Sequence, residues 1–506
     1  MLAVSWPTYG LFFFIFFAFI PLIYLVDNTK EGKILQLTLF SFLTFFTWNI
    51  LTTFWLYYAT FLGMSFAIIV NSALMSCVVF ICLISRKRLG NKLSVIFFIS
   101  LWICFEKLHL NWDFSWPWLN LGNVFSENVR IIQWYEYTGT FGGTLWVLCS
   151  NFIGYFCLRK IQLKESCNIE MFSLSFVIFT PMVCSLLIYK NITIQESKIK
   201  TVIVQPNIDP YDEKFNRSDE QNLIYLESIL SDKKNRNSVV ILPETYFSDG
   251  SQINTLSYSN LILRLKQLNK IYNTEILTGI ELFEIFDDSA KVQSFSNKIS
   301  NNRWLDLFNG SLFVSDNIEI YKKSKLVVGI EKMPYKNILE PLLGSFLIDF
   351  GGLSYSRGNQ PVRSVFNSKN DIKIAPVICY ESIYGEYVSD YIKNGANLLA
   401  IITNDGWWNN TQGHRQHLSY ARLRSIETRK NIIRSANTGI SSVINYRGEI
   451  VKTIAYDKEG LINHNVGVNS KITFYTLYGD FIFRISLFFI IILSSFFFSK
   501  ILSSKK

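Results

Sequence analysis

Hydrophobic and polar positions divide this chain into two regimes. Up to Tyr189 the apolar residues come in long, nearly charge-free blocks: Thr8–Val26, Ile34–Ser85, Leu93–His109, Tyr137–Leu158 and Met171–Tyr189. A membrane-crossing helix needs about 20 apolar residues at about 1.5 Å each. Ile34–Ser85 is uncharged for 52 residues, enough for two spans with a tight turn near Ala59–Gly63. Leu93–His109 is a weaker span, ending on Glu106 and Lys107. One further block, Tyr478–Ser499, lies near the C-terminus, with Arg484 placed to snorkel. The pattern predicts six spans before the polar region and one after it.

From about Lys200 the pattern changes to short β-branched runs separated by helical stretches. Thr201–Gln205, Ser238–Leu242, Glu275–Gly279, Ser311–Ser315, Ile372–Ile378, Leu398–Thr403 and Ile440–Asn445 read as strands. Asn222–Ser231, Leu261–Tyr272, Ile383–Lys393 and His417–Arg429 read as helices. Strands alternating with helices predict an α/β domain, large enough for a substantial core. The expected organisation is a bundle at 1–190, a soluble domain at 191–476, and a last span with its tail at 477–506.

Charge sharpens this division. Of 506 residues, 49% are hydrophobic and 17% charged, and residues 1–190 hold 12 Lys+Arg and 8 Asp+Glu. A simple soluble enzyme, a disordered chain and a small disulfide scaffold are thereby excluded. Lys and Arg beside spans stay on the cytoplasmic side. Lys30 and Lys33, then Arg86, Lys87, Arg88 and Lys92, then Arg159, Lys160 and Lys164 alternate as inside loops, as does the tail with Lys500, Lys505 and Lys506. The soluble domain then lies outside, in a periplasm-like compartment. The N-terminus must also start outside: either the chain inserts that way, or a span is missing upstream of Met1. The net charge of +10 partly reflects these loops, so nucleic acid is not an expected partner.

The candidate chemistry sits at strand ends. Seven of eight cysteines lie at or before Cys184, leaving Cys379 alone in the soluble domain. It reads either as an inert core residue or as a nucleophile, placed between a strand and a helix N-terminus that favours thiolate. Val239–Leu242 runs into Pro243-Glu244, which leaves a carboxylate at a strand mouth, and Lys322, Lys323 and Lys325 follow the strand-like Ile318–Tyr321. His414 and His417 could pair with the cysteine or ligate metal, but no spacing ties either to it and no third ligand is evident. A glutamate base with a lysine electrophile is the remaining arrangement. Glu106 and Glu136 read as interfacial groups, and the glycines of Thr138–Gly143 as helix-packing positions.

The ordered set Pro243-Glu244, Tyr321-x-Lys323-x-x-Leu326-Val327 with Glu331, and Cys379-Tyr380-Glu381 resembles the nitrilase (carbon–nitrogen hydrolase) superfamily, with Glu244, Lys323 and Cys379 spaced 79 and 56 residues apart. Val204-Gln205-x-Asn207-Ile208, Asn404-Asp405-x-Trp407 and Arg434-Ser435-x-Asn437-x-Gly439 extend the likeness. Trp116-Pro117-Trp118-Leu119-Asn120-Leu121-Gly122 and Thr138-Gly139-x-x-Gly142 in the front half resemble the apolipoprotein N-acyltransferase family. Two departures stand out. That family begins with one more span, and here Val328-Gly329-Ile330 precedes Glu331 where many members have proline and glycine.

The resemblance implies a four-layer αββα sandwich joined to a membrane α-helical bundle. It implies a catalytic triad of Glu244 as base, Lys323 as oxyanion stabiliser and Cys379 as nucleophile. Glu331 would orient the lysine, Tyr380 and Glu381 would support the nucleophile, and Trp407 and Trp408 would sit in a mobile loop at the substrate entrance. The implied reaction moves an acyl chain from a membrane phospholipid, phosphatidylethanolamine by resemblance, through a cysteine thioester to the α-amino group of a diacylglyceryl-cysteine on an apolipoprotein. It calls for no cofactor or metal, and a monomer is expected. A membrane-tethered amidase and a non-catalytic membrane protein are the competing readings.

Overall fold

The computed structural model describes residues 1–29, 33–209, 217–335, 356–369 and 371–503; Lys30, Lys505 and Lys506, used above for orientation, lie outside them. The chain forms two compact units. One comprises Met1–Phe54, Met64–Ile192 and Tyr478–Lys506, the other Trp55–Gly63 and Thr193–Leu477.

Among the described residues, six helices are long and apolar enough to cross a membrane: Ile34–Tyr58, Phe61–Arg86, Arg88–His109, Tyr135–Gln162, Asn168–Asn191 and Phe481–Ser503. The seventh expected span differs. Thr8–Val26 folds as a 3-10 stretch, Phe12–Phe16, followed by a short α-helix, Ile20–Asn28, with Pro21 in its first turn. Proline lacks an N–H and crowds the carbonyl four residues earlier, so it favours a helix start at this point. The broken backbone needs partners in apolar surroundings, and Asn151 of the Tyr135–Gln162 helix supplies them. Its Nδ2 donates to the Ile15 carbonyl at 2.8 Å and its Oδ1 accepts the Phe19 N–H at 2.7 Å.

Other polar groups of this unit are matched in the same way. Glu106 is buried within it, and three donors surround its carboxylate. Oε1 accepts Trp102 Nε1 at 3.1 Å and Leu121 N at 2.8 Å, and Oε2 accepts Thr144 Oγ1 at 2.7 Å. The two glycine-bearing motifs of the front half meet here. Tyr135 Oη donates to the Gly122 carbonyl at 2.8 Å, and a Cβ on Gly122 would stand 1.9 Å from the Thr140 carbonyl oxygen. Lys107 Nζ lies 2.7 Å from Asp480, next to the last helix.

The second unit contains two sheets. Strands are numbered in chain order: β1 Ser197–Gln205, β2 Val239–Ile241, β3 Phe247–Gln252, β4 Glu275–Phe286, β5 Asn297–Ser300, β6 Arg303–Val314, β7 Ile318–Lys322, β8 Phe366–Asn367, β9 Lys373–Ile378, β10 Leu398–Thr403, β11 Ile432–Ala436, β12 Ser442–Ile444, β13 Ile450–Thr453 and β14 Gly460–Val468. The first sheet runs β14-β1-β2-β4-β6-β5, with β3 on β4 and β7 on β6; the second runs β13-β12-β11-β10-β9-β8. Helices Asp219–Ser231 and Asn260–Tyr272 cover the first sheet. Leu226, Leu230, Ile262 and Leu265 pack there with Val202, Val204 and Val240. Helices Gly385–Lys393 and Gln412–Thr428 cover the second sheet, and β1 and β11 bring the two sheets face to face. This is a four-layer αββα sandwich.

Each run expected to be a strand forms one, with shifted ends. β4 and β6 extend far beyond their apolar cores and pair antiparallel from Ile276↔Val314 to Phe286↔Trp304. The exposed β13 and the mixed β14 carry little apolar signal; β14 is a strand because its backbone pairs with all of β1. Asn151→Leu is expected to strand two backbone groups and lower the stability of the detergent-solubilised chain by about 2–4 kcal/mol, read as a fall in its thermal unfolding midpoint.

Candidate active site

Three chain segments leave the sheets at neighbouring points. β2 ends at Ile241, and the loop Leu242–Thr245 stays bonded to β4 through Leu242 N to Leu277 O at 2.8 Å and Gly279 N to Pro243 O at 3.1 Å. A Cβ on Gly279 would sit 2.2 Å from Thr245 N, so only glycine allows the Glu244 turn to lie this close. Lys323 follows β7, its N–H donating to the Asn309 carbonyl of β6 at 2.8 Å. Cys379 follows β9 at the first position of a 3-10 turn with φ +48°. A left-handed non-glycine residue costs about 1–3 kcal/mol and persists only where its surroundings enforce it.

Lys323 is the centre of the cluster. Its side chain is 1% exposed, with Nζ 2.9 Å from Glu244 Oε1 and 3.0 Å from Glu331 Oε2. Asn309 Nδ2 bridges the two carboxylates, 2.8 Å from Oε1 of each. Burial works against charge on Lys323, but Glu244, Glu331 and the nearby Cys379 outweigh it and hold its pKa above the ordinary lysine value. This environment favours the charged ammonium.

The two glutamates are not equivalent. Burial pushes Glu331 up, but Lys323 and Arg357 pull it below the usual carboxylate range, helped by Asn309 and by the Val327 N–H at 2.8 Å. Glu244 also accepts the Asn404 N–H at 3.1 Å on Oε2. Burial pushes the Cys379 thiol up, Glu244 pushes it further, and Lys323 pulls it down. The resting cysteine is a neutral thiol beside a charged pair. This arrangement can do nucleophilic chemistry once a base takes the proton.

Glu381 is fully buried and joins the lysine segment to the cysteine strand. Its Oε1 accepts Tyr321 Oη at 2.6 Å, Tyr387 Oη at 2.7 Å and Ser324 N at 2.7 Å, while Oε2 accepts Ile378 N at 2.8 Å. Burial raises its pKa against these bonds. Tyr380 is buried with its ring 5.3 Å from Tyr384. Trp407 and Trp408 are half-buried in the 3-10 turn Gly406–Trp408. Trp408 packs between Trp55, at 4.9 Å, and His417, at 5.6 Å.

Sequence reading did not single out Asn309, and it named Asp405, His417 and Arg434 without tying them to one another or to the cysteine. His417 Nδ1 lies 2.9 Å from Asp405 Oδ1, and its Nε2 lies 3.1 Å from the Cys379 carbonyl and 2.9 Å from Ser382 Oγ. Arg434 Nη2 donates to Asp405 Oδ2 at 2.6 Å. Burial opposes the charge of Asp405, but Arg434 and His417 hold its pKa well below the carboxylate range. His414 turns elsewhere and stacks on Tyr456 at 4.3 Å, with burial lowering its pKa to about 4. Ligand atoms of Cys379, Asp405 and His417 lie within 4.8 Å of one another. A cation there would meet the Arg434 charge and a carboxylate already shared by guanidinium, imidazole and Thr403 Oγ1, the last at 2.8 Å. The group reads as an ion-pair frame for the Cys379 carbonyl. Asp405 and Arg434 each lie in a sequence motif, but only the fold turns them toward one another.

Residues 200–470 match the family model described as carbon-nitrogen hydrolase, and residues 1–153 match the apolipoprotein N-acyltransferase N-terminal domain. Among curated relatives, the apolipoprotein N-acyltransferase of Chlorobaculum tepidum is 26% identical over 494 residues, 94% of this chain and 90% of that protein. The same-named protein of Thermotoga maritima is 25% identical, covering 96% and 89%, and that of Rickettsia prowazekii 29% identical, covering 81% and 78%.

The opposing fields on the thiol have a measurable sign. Glu244→Gln removes a negative neighbour and is expected to move the alkylation-rate profile of Cys379 to lower pH. Lys323→Met removes a positive one and is expected to move it to higher pH.

Proposed function

Because the chain belongs to the carbon–nitrogen hydrolase family, and its front half matches the membrane domain of apolipoprotein N-acyltransferases, we propose that it is a phospholipid:apolipoprotein N-acyltransferase of the bacterial inner membrane. Its catalytic unit, residues 191–476, faces the periplasm. The observation that carries this reading is the pairing of a buried Lys323–Glu244–Glu331 cluster beside Cys379 with six membrane-length helices in one chain. Tethering a hydrolase needs one span, whereas two bilayer-bound substrates need a membrane domain that receives them.

The reaction is ping-pong. Glu244 takes the Cys379 Sγ proton as sulfur attacks an ester carbonyl of a phospholipid, with phosphatidylethanolamine as the donor. The Lys323 ammonium, fixed before substrate arrives, stabilises the oxyanion at no reorganisation cost. The C–O bond then breaks, the lysophospholipid alkoxide takes the proton from Glu244, and a thioester remains. The α-amino group of a diacylglyceryl-cysteine attacks that thioester and gives its proton to Glu244. The C–S bond breaks, the amide forms, and the thiolate recovers its proton. Glu331 holds Lys323 in place, Glu381 and Tyr380 support the turn carrying the nucleophile, and Trp407 and Trp408 contact lipid at the entrance. The protein works as a monomer and without a cofactor.

The test incubates the full chain with phosphatidylethanolamine radiolabelled in its acyl chain and a synthetic diacylglyceryl lipopeptide. Label is expected on the peptide's amino group, and on Cys379 as a hydroxylamine-sensitive thioester when the peptide is omitted. Cys379→Ala is expected to abolish both, and Lys323→Met to slow turnover by about 10²–10³-fold. Label released only as free fatty acid would make the protein a hydrolase instead.

A further inference from the structure

The helical unit contains a polar site that acyl transfer does not use. A cleft opens where the Ile20–Asn28 helix, both halves of the Phe61–His109 segment and the Tyr135–Gln162 helix line a common space. The segment breaks at Gly90, whose φ is +75°. Ile23, Phe98, Phe152 and Phe156 make an apolar wall, and Asp27, Arg86, Tyr155 and Arg159 make a polar one.

Charge in the cleft does not balance. The Asp27 carboxylate pairs with Arg86, with Arg159 at 3.0 Å, and accepts the Tyr155 hydroxyl. Arg86 also donates to the Val26 carbonyl at 3.0 Å and to Asn91 Oδ1 at 3.5 Å. Among the described residues, two guanidinium groups against one carboxylate leave one positive charge beside an apolar wall. Charge within a membrane helix bundle is costly unless it is paired or marks a ligand site. Guanidinium forks match phosphate oxygens, and basic pockets between membrane helices suit anionic head groups.

The apolar wall and the outward-facing side chains of the same helices decide the class of anion. Leu25, Ile84 and Ile96 are each about 40% exposed and offer an acyl chain a surface that a free phosphate could not use. The basic residues Arg86, Arg88 and Lys92, with Arg159, Lys160 and Lys164, lie at the ends of these same helices. The positive-inside rule turns such ends toward the cytoplasmic leaflet.

We propose that this cleft binds the phosphodiester head group of an anionic glycerophospholipid, with Arg86 and Arg159 on the phosphate and Asp27 orienting both. A net charge of one favours a head group carrying one negative charge over a zwitterionic one, whose ammonium cancels its phosphate. None of the lining residues belongs to the unit that carries Cys379, so this site stands or falls independently of the acyl-transfer chemistry.

The test is native mass spectrometry of the full-length protein in detergent with added phosphatidylglycerol, phosphatidylethanolamine or inorganic phosphate. The wild type is expected to retain one phosphatidylglycerol at least about tenfold more strongly than phosphatidylethanolamine. Arg159 is about half exposed, so Arg159→Gln is expected to keep the unfolding midpoint and lose this preference. Arg159→Lys, which keeps charge without the fork, should be intermediate and serves if the glutamine variant does not fold. Equal retention of the two lipids by the wild type, or undiminished retention by a folded Arg159→Gln protein, would overturn the proposal. Thermal stabilisation by millimolar phosphate equal to that by phosphatidylglycerol would overturn the lipid assignment.

Discussion

A buried ammonium is among the most expensive groups a protein can hold, and the soluble unit is arranged around one. Lys323 is nearly without solvent contact, so its charge survives only because two carboxylates lie within 3.0 Å. Removing either partner from such a cluster leaves an uncompensated charge. That constraint reaches outward. Glu244 has to arrive from β2, Glu331 from the segment after β7, and Asn309 from β6 to keep the two carboxylates apart from each other. Three chain segments are committed to satisfying one nitrogen. The same commitment leaves a fixed positive charge beside Cys379, where an oxyanion would develop.

The nucleophile turn is held from two sides by further buried charges. Glu381 bonds the backbone of Ile378 and Ser324 and so couples the cysteine strand to the lysine segment. On the other side Asp405, compensated by Arg434, orients His417 against the Cys379 carbonyl. Both clusters act on backbone rather than on sulfur. They explain how a left-handed cysteine persists at the end of β9 without glycine's freedom.

The helical unit obeys the same rule in a setting without water. Asn151 takes the carbonyl and N–H freed where the first apolar run breaks, and Glu106 takes a tryptophan, a threonine and a backbone N–H. These buried groups are answered by neighbouring segments, because an unanswered one would cost more in hydrocarbon than in water. Among the described residues, Asp27 differs in facing two guanidinium groups, Arg86 and Arg159.

Hydrophobic runs located six of the seven expected spans, because length and charge decide burial in a bilayer largely without reference to partners. Short β-branched runs likewise located the central strands, and the strand-end positions of Glu244, Lys323 and Cys379 could be read from apolar runs that stop at polar residues. What the chain could not state locally depends on partners distant in sequence. β14 is a strand because β1 lies beside it. Thr8–Val26 has the composition of a span and breaks at Pro21, with Asn151, far along the chain, meeting the freed bonds. Asn309 looks like an ordinary polar residue among apolar neighbours until β6 brings it between two carboxylates. His417 looked unconnected to the cysteine because its tie runs through Asp405 and through a backbone carbonyl. Composition and periodicity encode what a segment buries. Only the tertiary structure decides which buried charges meet, since that pairing is a property of two or more segments at once.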